Sequence, residues 1–194
     1  MPVEARTSSP ILVDLVIPQR KVVQNIVLVI IFSLLIALSA QLSFPLPFSP
    51  VPITMQTFMV LLAGVVLGSR LGAITLITYL CQGAAGMPVF AGGKSGILAL
   101  FGPTGGYLFG FVVAAWLVGF LAERGWDKRI WTAALAMVLG NLVIYVLGVG
   151  WLANVLGFSK AITAGMMPFL LGDAAKIILA AVILPRAWSL FGRT

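Results

Sequence analysis

Met166-Met167-Pro168-Phe169-Leu170-Leu171-Gly172-Asp173-Ala174-Ala175-Lys176-Ile177-Ile178-Leu179-Ala180-Ala181-Val182-Ile183-Leu184 decides how this chain is read. An apolar run of ~20 residues is long enough to cross a bilayer as a helix. This one holds an acid and a base three residues apart, Asp173 and Lys176. A charge at bilayer depth costs roughly 2.5–3.5 kcal/mol on insertion scales, so a retained pair marks a functional site by default. The i,i+3 spacing puts both groups on one helix face, where each offsets the other. A neutralising pair without a ligand is the weaker alternative, because burying an ion pair seldom stabilises a fold.

The composition sets the class. Of 194 residues, 61% are hydrophobic and 9% charged, and the mean hydropathy is +1.13. Soluble domains average about 25% charged and 45–50% apolar residues. The chain is therefore an integral membrane protein. Its apolar residues come in long continuous blocks and not in alternating short segments, so the class is all-α and not a barrel. The net charge of +7 is scattered singly at block ends. That is the positive-inside pattern, and it excludes a nucleic-acid stripe. There is no histidine, and Cys81 is the single cysteine. This excludes an internal disulfide and a Cys/His metal site.

Six apolar blocks follow in order, at about 22–42, 55–68, 71–86, 104–122, 130–150 and 166–188. The first has the look of a signal peptide, with Ala37-Leu38-Ser39-Ala40 as a cleavage site, but it is long enough to span and its basic arm is long. Three regions result: a cytoplasmic or interfacial arm at 1–21, a single six-helix transmembrane substrate-binding domain at 22–190, and a cytoplasmic tail at 191–194. Within the arm, 11–17 is predicted to be partly ordered at the interface. Arg6, Arg20, Lys21, Arg70, Arg124, Lys128, Arg129, Arg186 and Arg193 fall on one side, Lys94 and Lys160 on the other. The bias places both termini in the cytoplasm.

Two outer segments are unusual. Residues 41–54 carry Pro45, Pro47, Pro50 and Pro52, which forbid a helix, yet the stretch is apolar. It reads as a lid over a cavity or as a stiff connector. Residues 87–103 hold Gly92, Gly93, Gly96 and Gly102, with Lys94 as the only charge. Irregular apolar backbone of this kind is tolerated where it lines a cavity. Gly102-Pro103-Thr104-Gly105-Gly106 lacks the Gly-Lys-Ser/Thr register of a phosphate loop, so no ATP site is read here.

The candidate binding set is Asp173, Lys176, Lys94, Gln56, Gln82, Asn141 and Tyr145, with Thr104 beside them. An apolar pocket with a few converging polar groups suits a small molecule. Two lysines point to an anionic group on the ligand, and Asp173 with the amides points to N–H donors. Gln56 as a helix cap, Asn141 as interhelical glue, and Tyr145 and Tyr107 as packing residues are the alternatives. Ser33, Ala37 and Ala40 form a small-residue stripe on which another helix could pack closely. No nucleophile–base pair or paired carboxylate is present, so no catalytic set, metal or cofactor is expected.

Four ordered stretches carry a family likeness: Val51-Pro52-Ile53-Thr54-Met55-Gln56-Thr57, Gly86-Met87-Pro88-Val89-Phe90-Ala91-Gly92-Gly93, Phe101-Gly102-Pro103-Thr104-Gly105-Gly106-Tyr107-Leu108 and Pro168-Phe169-Leu170-Leu171-Gly172-Asp173-Ala174-Ala175-Lys176. Together the chain resembles the BioY family, biotin-binding substrate (S) components of energy-coupling factor (ECF) transporters. The resemblance implies an S-component fold in the plasma membrane and capture of biotin from outside. It implies energy from partner ATPase subunits through a transmembrane coupling protein, with ATP used only by those partners. It implies Asp173, Lys176 and Gln56 as ligand residues, Lys94 as the basic residue of the glycine-rich loop, and Ser33, Ala37 and Ala40 as the docking stripe. Biotin fits the residues independently: its ureido ring offers N–H donors, its thioether ring is apolar and its tail ends in a carboxylate. Which lysine meets that carboxylate stays open at this stage. A stand-alone secondary carrier for biotin or a related anionic vitamin is the competing reading.

Overall fold

The structure is a computed structural model, and it describes residues 10–191. Five helical segments in it are long and apolar enough to cross a membrane, which makes this a multi-pass membrane protein. In chain order the elements are α1 (Leu12–Val16), α2 (Val22–Gln41), β1 (Ser43–Leu46), β2 (Ser49–Thr54), α3 (Gln56–Ala84), α4 (Ile97–Leu100), α5 (Gly105–Ala122), α6 (Ile130–Leu156), α7 (Phe158–Gly165) and α8 (Leu170–Phe191).

The segment α3 folds back on itself. Gly68 takes φ 81° and ψ 176°, outside the helical region. Glycine alone adopts such a φ without steric cost. Gln56 and Tyr79 are 23 residues apart, yet their side chains meet in a 2.7 Å hydrogen bond. One straight helix would separate them by ~35 Å. The arms, 56–67 and 69–84, are about 18 and 24 Å long at ~1.5 Å per residue. The two short blocks read from the sequence are thus a helical hairpin, with its turn at Gly68. The second arm starts on a cap: Ser69 donates from both N and Oγ to Glu123 Oε1 at 2.7 Å. A carboxylate there satisfies a free N–H and meets the positive end of the helix dipole.

α5 lies between α3 and α6. Small residues let it approach: a Cβ on Gly119 would stand 2.5 Å from the backbone of Gly68 and Ser69. Ala114, Ala115 and Val118 are fully buried along it. α8 packs on α6 and α3, and α2 packs on α3.

The N-terminal arm is more integrated than an interfacial strip. Ile11 and Val13 pack with Leu67, and Ile11 touches the Gly68 turn. The tail read at 191–194, apart from Phe191, lies outside the described residues, as do Arg6 and Arg193.

The proline stretch is a β-hairpin, an addition to an otherwise helical architecture. Ser43 pairs with Thr54, Phe44 with Ile53 and Leu46 with Ser49, and none of these partners is a proline. Prolines at every second position leave the intervening N–H groups for the ladder, and a two-stranded ribbon has only edge strands. The block read at 130–150 extends further than its apolar run: α6 runs on to Leu156, Gly157 breaks it, and α7 follows.

The elements sort to two ends. The N-terminal arm, the Gly68 turn, Glu123 and the 126–128 turn with Trp188 gather at one end. The hairpin, the Lys94 loop and α7 gather at the other, where Ser49 Oγ donates to Ala164 O at 2.7 Å.

Candidate functional site: an apolar cavity under the hairpin

Beneath the hairpin lies a cavity of about 760 Å³ of empty space, its open mouth included. Its walls are apolar: Phe90, Leu108, Phe111, Ile144 and Phe169. Its polar groups come from four elements: Gln56 and Thr57 from α3, Lys94 from the glycine-rich loop, Tyr145 from α6, and Asp173 and Lys176 from α8. Thr54, Thr104 and Tyr107 also line it.

Asp173 is 4% exposed and is the centre of the polar set. Lys176 Nζ donates to its Oδ1 at 3.0 Å, and Thr57 Oγ1 donates to the same oxygen at 3.4 Å. The Tyr145 hydroxyl donates to Oδ2. A carboxylate offers about four acceptor positions. Three are used among the described residues, which leaves one on Oδ2. Lys176 also donates to Thr54 O at 2.8 Å and to Thr57 Oγ1 at 2.9 Å. Gln56 is buried, and its Nε2 donates to Tyr79 OH, which in turn donates to Val89 O. Its Oε1 accepts no hydrogen bond among the described residues, and Gln56 lines the cavity. Lys94 is exposed, and its ammonium has no partner among the described residues. Burial therefore ranks the two charges: the acid lies inside and the free cation stands at the mouth.

Five of the predicted residues share this cavity: Asp173, Lys176, Lys94, Gln56 and Tyr145. Two do not. Gln82 donates from Nε2 to Ser33 Oγ at 3.1 Å and holds α3 to α2. Asn141 donates to Met137 O on its own helix and lines a smaller chamber of about 190 Å³ next to Thr57 and Lys176. Both are corrected from cavity to interior packing positions. Ser33, Ala37 and Ala40 are buried, at 0%, 8% and 0% exposure. The stripe is used within the chain and offers no free surface for a partner, which corrects its reading as a docking face.

Thr57 was not singled out by the sequence. It is an ordinary threonine in an apolar block, and its partners lie 116 and 119 residues away. Tyr107, read as packing, lines the cavity and donates to Gly165 O at 2.8 Å. Among the described residues, no group of three or more His, Cys, Asp or Glu could hold a metal ion.

The arrangement suits a ligand with an N–H donor at one end, an apolar body and an anionic tail. Comparison with known proteins gives the family. The BioY family model matches residues 7–193. A biotin transporter BioY of Thermotoga maritima is 44% identical over 155 residues, covering 79% of this chain and 89% of the relative. A probable biotin transporter BioY of Pyrococcus horikoshii is 40% identical and covers 84% of this chain and 95% of that protein. Among solved structures, the S-component for biotin from an ECF-type ABC transporter superposes with a TM-score of 0.74 at 27% identity, covering 84% of this chain and 90% of that one. Fold and sequence coincide over most of the chain, and this chain belongs to the BioY family.

Proposed function

We propose that this chain is the membrane-embedded biotin-binding subunit of a biotin uptake system. The reading rests on one observation above the rest. A buried carboxylate with one free acceptor position adjoins an apolar cavity whose only unpaired cation, among the described residues, stands at the mouth. The Asp173 carboxylate takes a ureido N–H, Gln56 Oε1 is placed for a second, the phenyl and aliphatic walls hold the thioether ring, and Lys94 meets the carboxylate of the tail. Lysine supplies a point charge and not a planar fork, so the tail contact is not bidentate. The chain binds and does not catalyse.

Orientation follows the basic residues. Arg20, Lys21, Arg70, Arg124, Lys128, Arg129 and Arg186 mark the cytoplasmic end. The hairpin and the cavity then face outside, across the plasma membrane. Energy enters through partners, a transmembrane coupling protein and ATPase subunits, as the likeness to an S-component supports.

Equilibrium binding of biotin to the purified chain tests the site. Loss of a charge-assisted hydrogen bond is worth about 1.5–3 kcal/mol. Asp173→Asn is therefore expected to weaken binding by about tenfold to a hundredfold. Lys94→Met is expected to weaken biotin but not its uncharged amide. Unchanged affinity in both variants would overturn the assignment. Uptake by cells that express this chain alone, abolished by an uncoupler, would assign the energy to an ion gradient.

A further inference from the structure

We propose that Lys176 is a positioning residue and not the reader of the ligand's carboxylate. It fastens the hairpin roof to α8 and aims Asp173 at the ligand ring. The inference rests on the biotin reading above and assigns the two lysines different tasks.

A lysine ammonium has three donors and no acceptor. All three are engaged within the chain. They reach Thr54 O at 2.8 Å, Thr57 Oγ1 at 2.9 Å and Asp173 Oδ1 at 3.0 Å. Thr54 ends strand β2, Thr57 lies in the first turn of α3, and Asp173 lies in the first turn of α8. One ammonium thus joins roof, wall and floor of the cavity. A ligand carboxylate could reach Lys176 only by breaking one of these bonds, and each acceptor released is buried, as in Asp173, or half-buried, as in Thr54 and Thr57. Breaking a buried bond costs the full desolvation of the group left behind. Lys94 meets a carboxylate without that loss, because its ammonium is exposed and unpaired among the described residues.

Asn141 strengthens the assignment. Its Oδ1 is buried without a partner among the described residues, and it lines the small chamber that Lys176 also lines. The ammonium makes no bond to this oxygen and directs its donors to the hairpin side. On the acid, Lys176 and Thr57 fill Oδ1, while Tyr145 holds Oδ2. The free acceptor position of Asp173 is therefore aimed by three neighbours, and Lys176 is the only charged one.

The test compares three probes on the purified full chain: biotin, its uncharged tail amide, and biotin methylated on a ring nitrogen. The wild type is expected to prefer biotin over each analogue by tenfold or more. In Lys94→Met the tail preference disappears and the ring preference stays. In Lys176→Met the tail preference stays and the ring preference falls below threefold. Lys176→Arg, which keeps the charge and the donors, restores at least part of the ring preference. Loss of the tail preference in Lys176→Met would overturn the proposal. So would an equal loss for all three probes, which is the signature of a merely structural role. If Lys176→Met does not fold, Thr57→Val removes one of the three acceptors at similar volume and is expected to show the same pattern more weakly. A Thr57→Val protein with both preferences intact would then overturn it. Absence of biotin binding by the wild type would instead overturn the biotin reading itself.

Discussion

At the residue scale, two buried carboxylates show how environment sets a role. Asp173 has partners on both oxygens and one acceptor position left for a ligand. Asp127, in the turn between α5 and α6, is 1% exposed. Trp188 Nε1 donates to its Oδ2 at 2.6 Å, while Oδ1 has no partner among the described residues, and the Lys128 ammonium sits 4.4 Å over the Trp188 ring. Burial pushes the Asp127 carboxyl above its ordinary value of 3.8, against the opposing pull of Trp188 and Lys128. The folded state then holds this proton more tightly than the unfolded state does. Its contribution to stability is present in full below pH 3.8 and is lost as pH rises through the raised folded value. Asp127→Asn removes that titration. Melting temperatures measured from pH 4 upward are expected to fall less steeply for the variant than for the wild type; parallel curves would count against the assignment.

At the element scale, the fold-back of α3 is the decisive event. The turn needs φ 81° at Gly68, and a Cβ there would stand 2.8 Å from Glu123 Oε1 and 2.9 Å from Ile11 Cδ1. Extended backbone at positive φ costs a non-glycine residue about 1–3 kcal/mol. Gly68→Ala is expected to lower the melting temperature of the purified chain clearly, because it strains the turn and crowds the Glu123 cap together. Gly150→Ala is the control. It lies within α6, and nothing stands within 4 Å of its added Cβ. Relief of glycine's entropy in a helix is worth roughly 0.5–1 kcal/mol, so this variant is expected to match or exceed the wild type. Equal losses in both would show that the φ at Gly68 is not what holds the turn.

At the scale of the whole molecule, the polar chemistry divides between two ends. One end gathers the arginines with the Asp14–Arg20 pair at 2.9 Å. The other carries the hairpin, the Lys94 loop and the mouth of the cavity. An impermeant maleimide on intact cells checks the orientation, in a background with the native thiol removed as Cys81→Ser. Lys160→Cys, exposed on α7, is expected to label. Arg129→Cys, exposed at the start of α6, is expected to stay unlabelled until the cells are opened. The reverse pattern would invert the topology and place the cavity on the cytoplasmic side.

The sequence by itself determined the membrane class, the helical blocks, the break near Gly68 and five polar members of the cavity. These follow from local quantities: block length, hydropathy, the φ that only glycine takes easily, and the rarity of charge in apolar runs. It also placed Asp173 and Lys176 on one face, since that requires only the helical period. Only the tertiary structure decided which neighbour each face would meet. It turned the prolines into a hairpin roof, sent Gln82 to Ser33 and Asn141 to a separate chamber, and buried the stripe of Ser33, Ala37 and Ala40 inside the chain. It brought Thr54 and Thr57 to Lys176 from more than a hundred residues away. The period of a helix fixes which residues share a face, but the partner of a buried polar group is chosen by packing between segments remote in the chain.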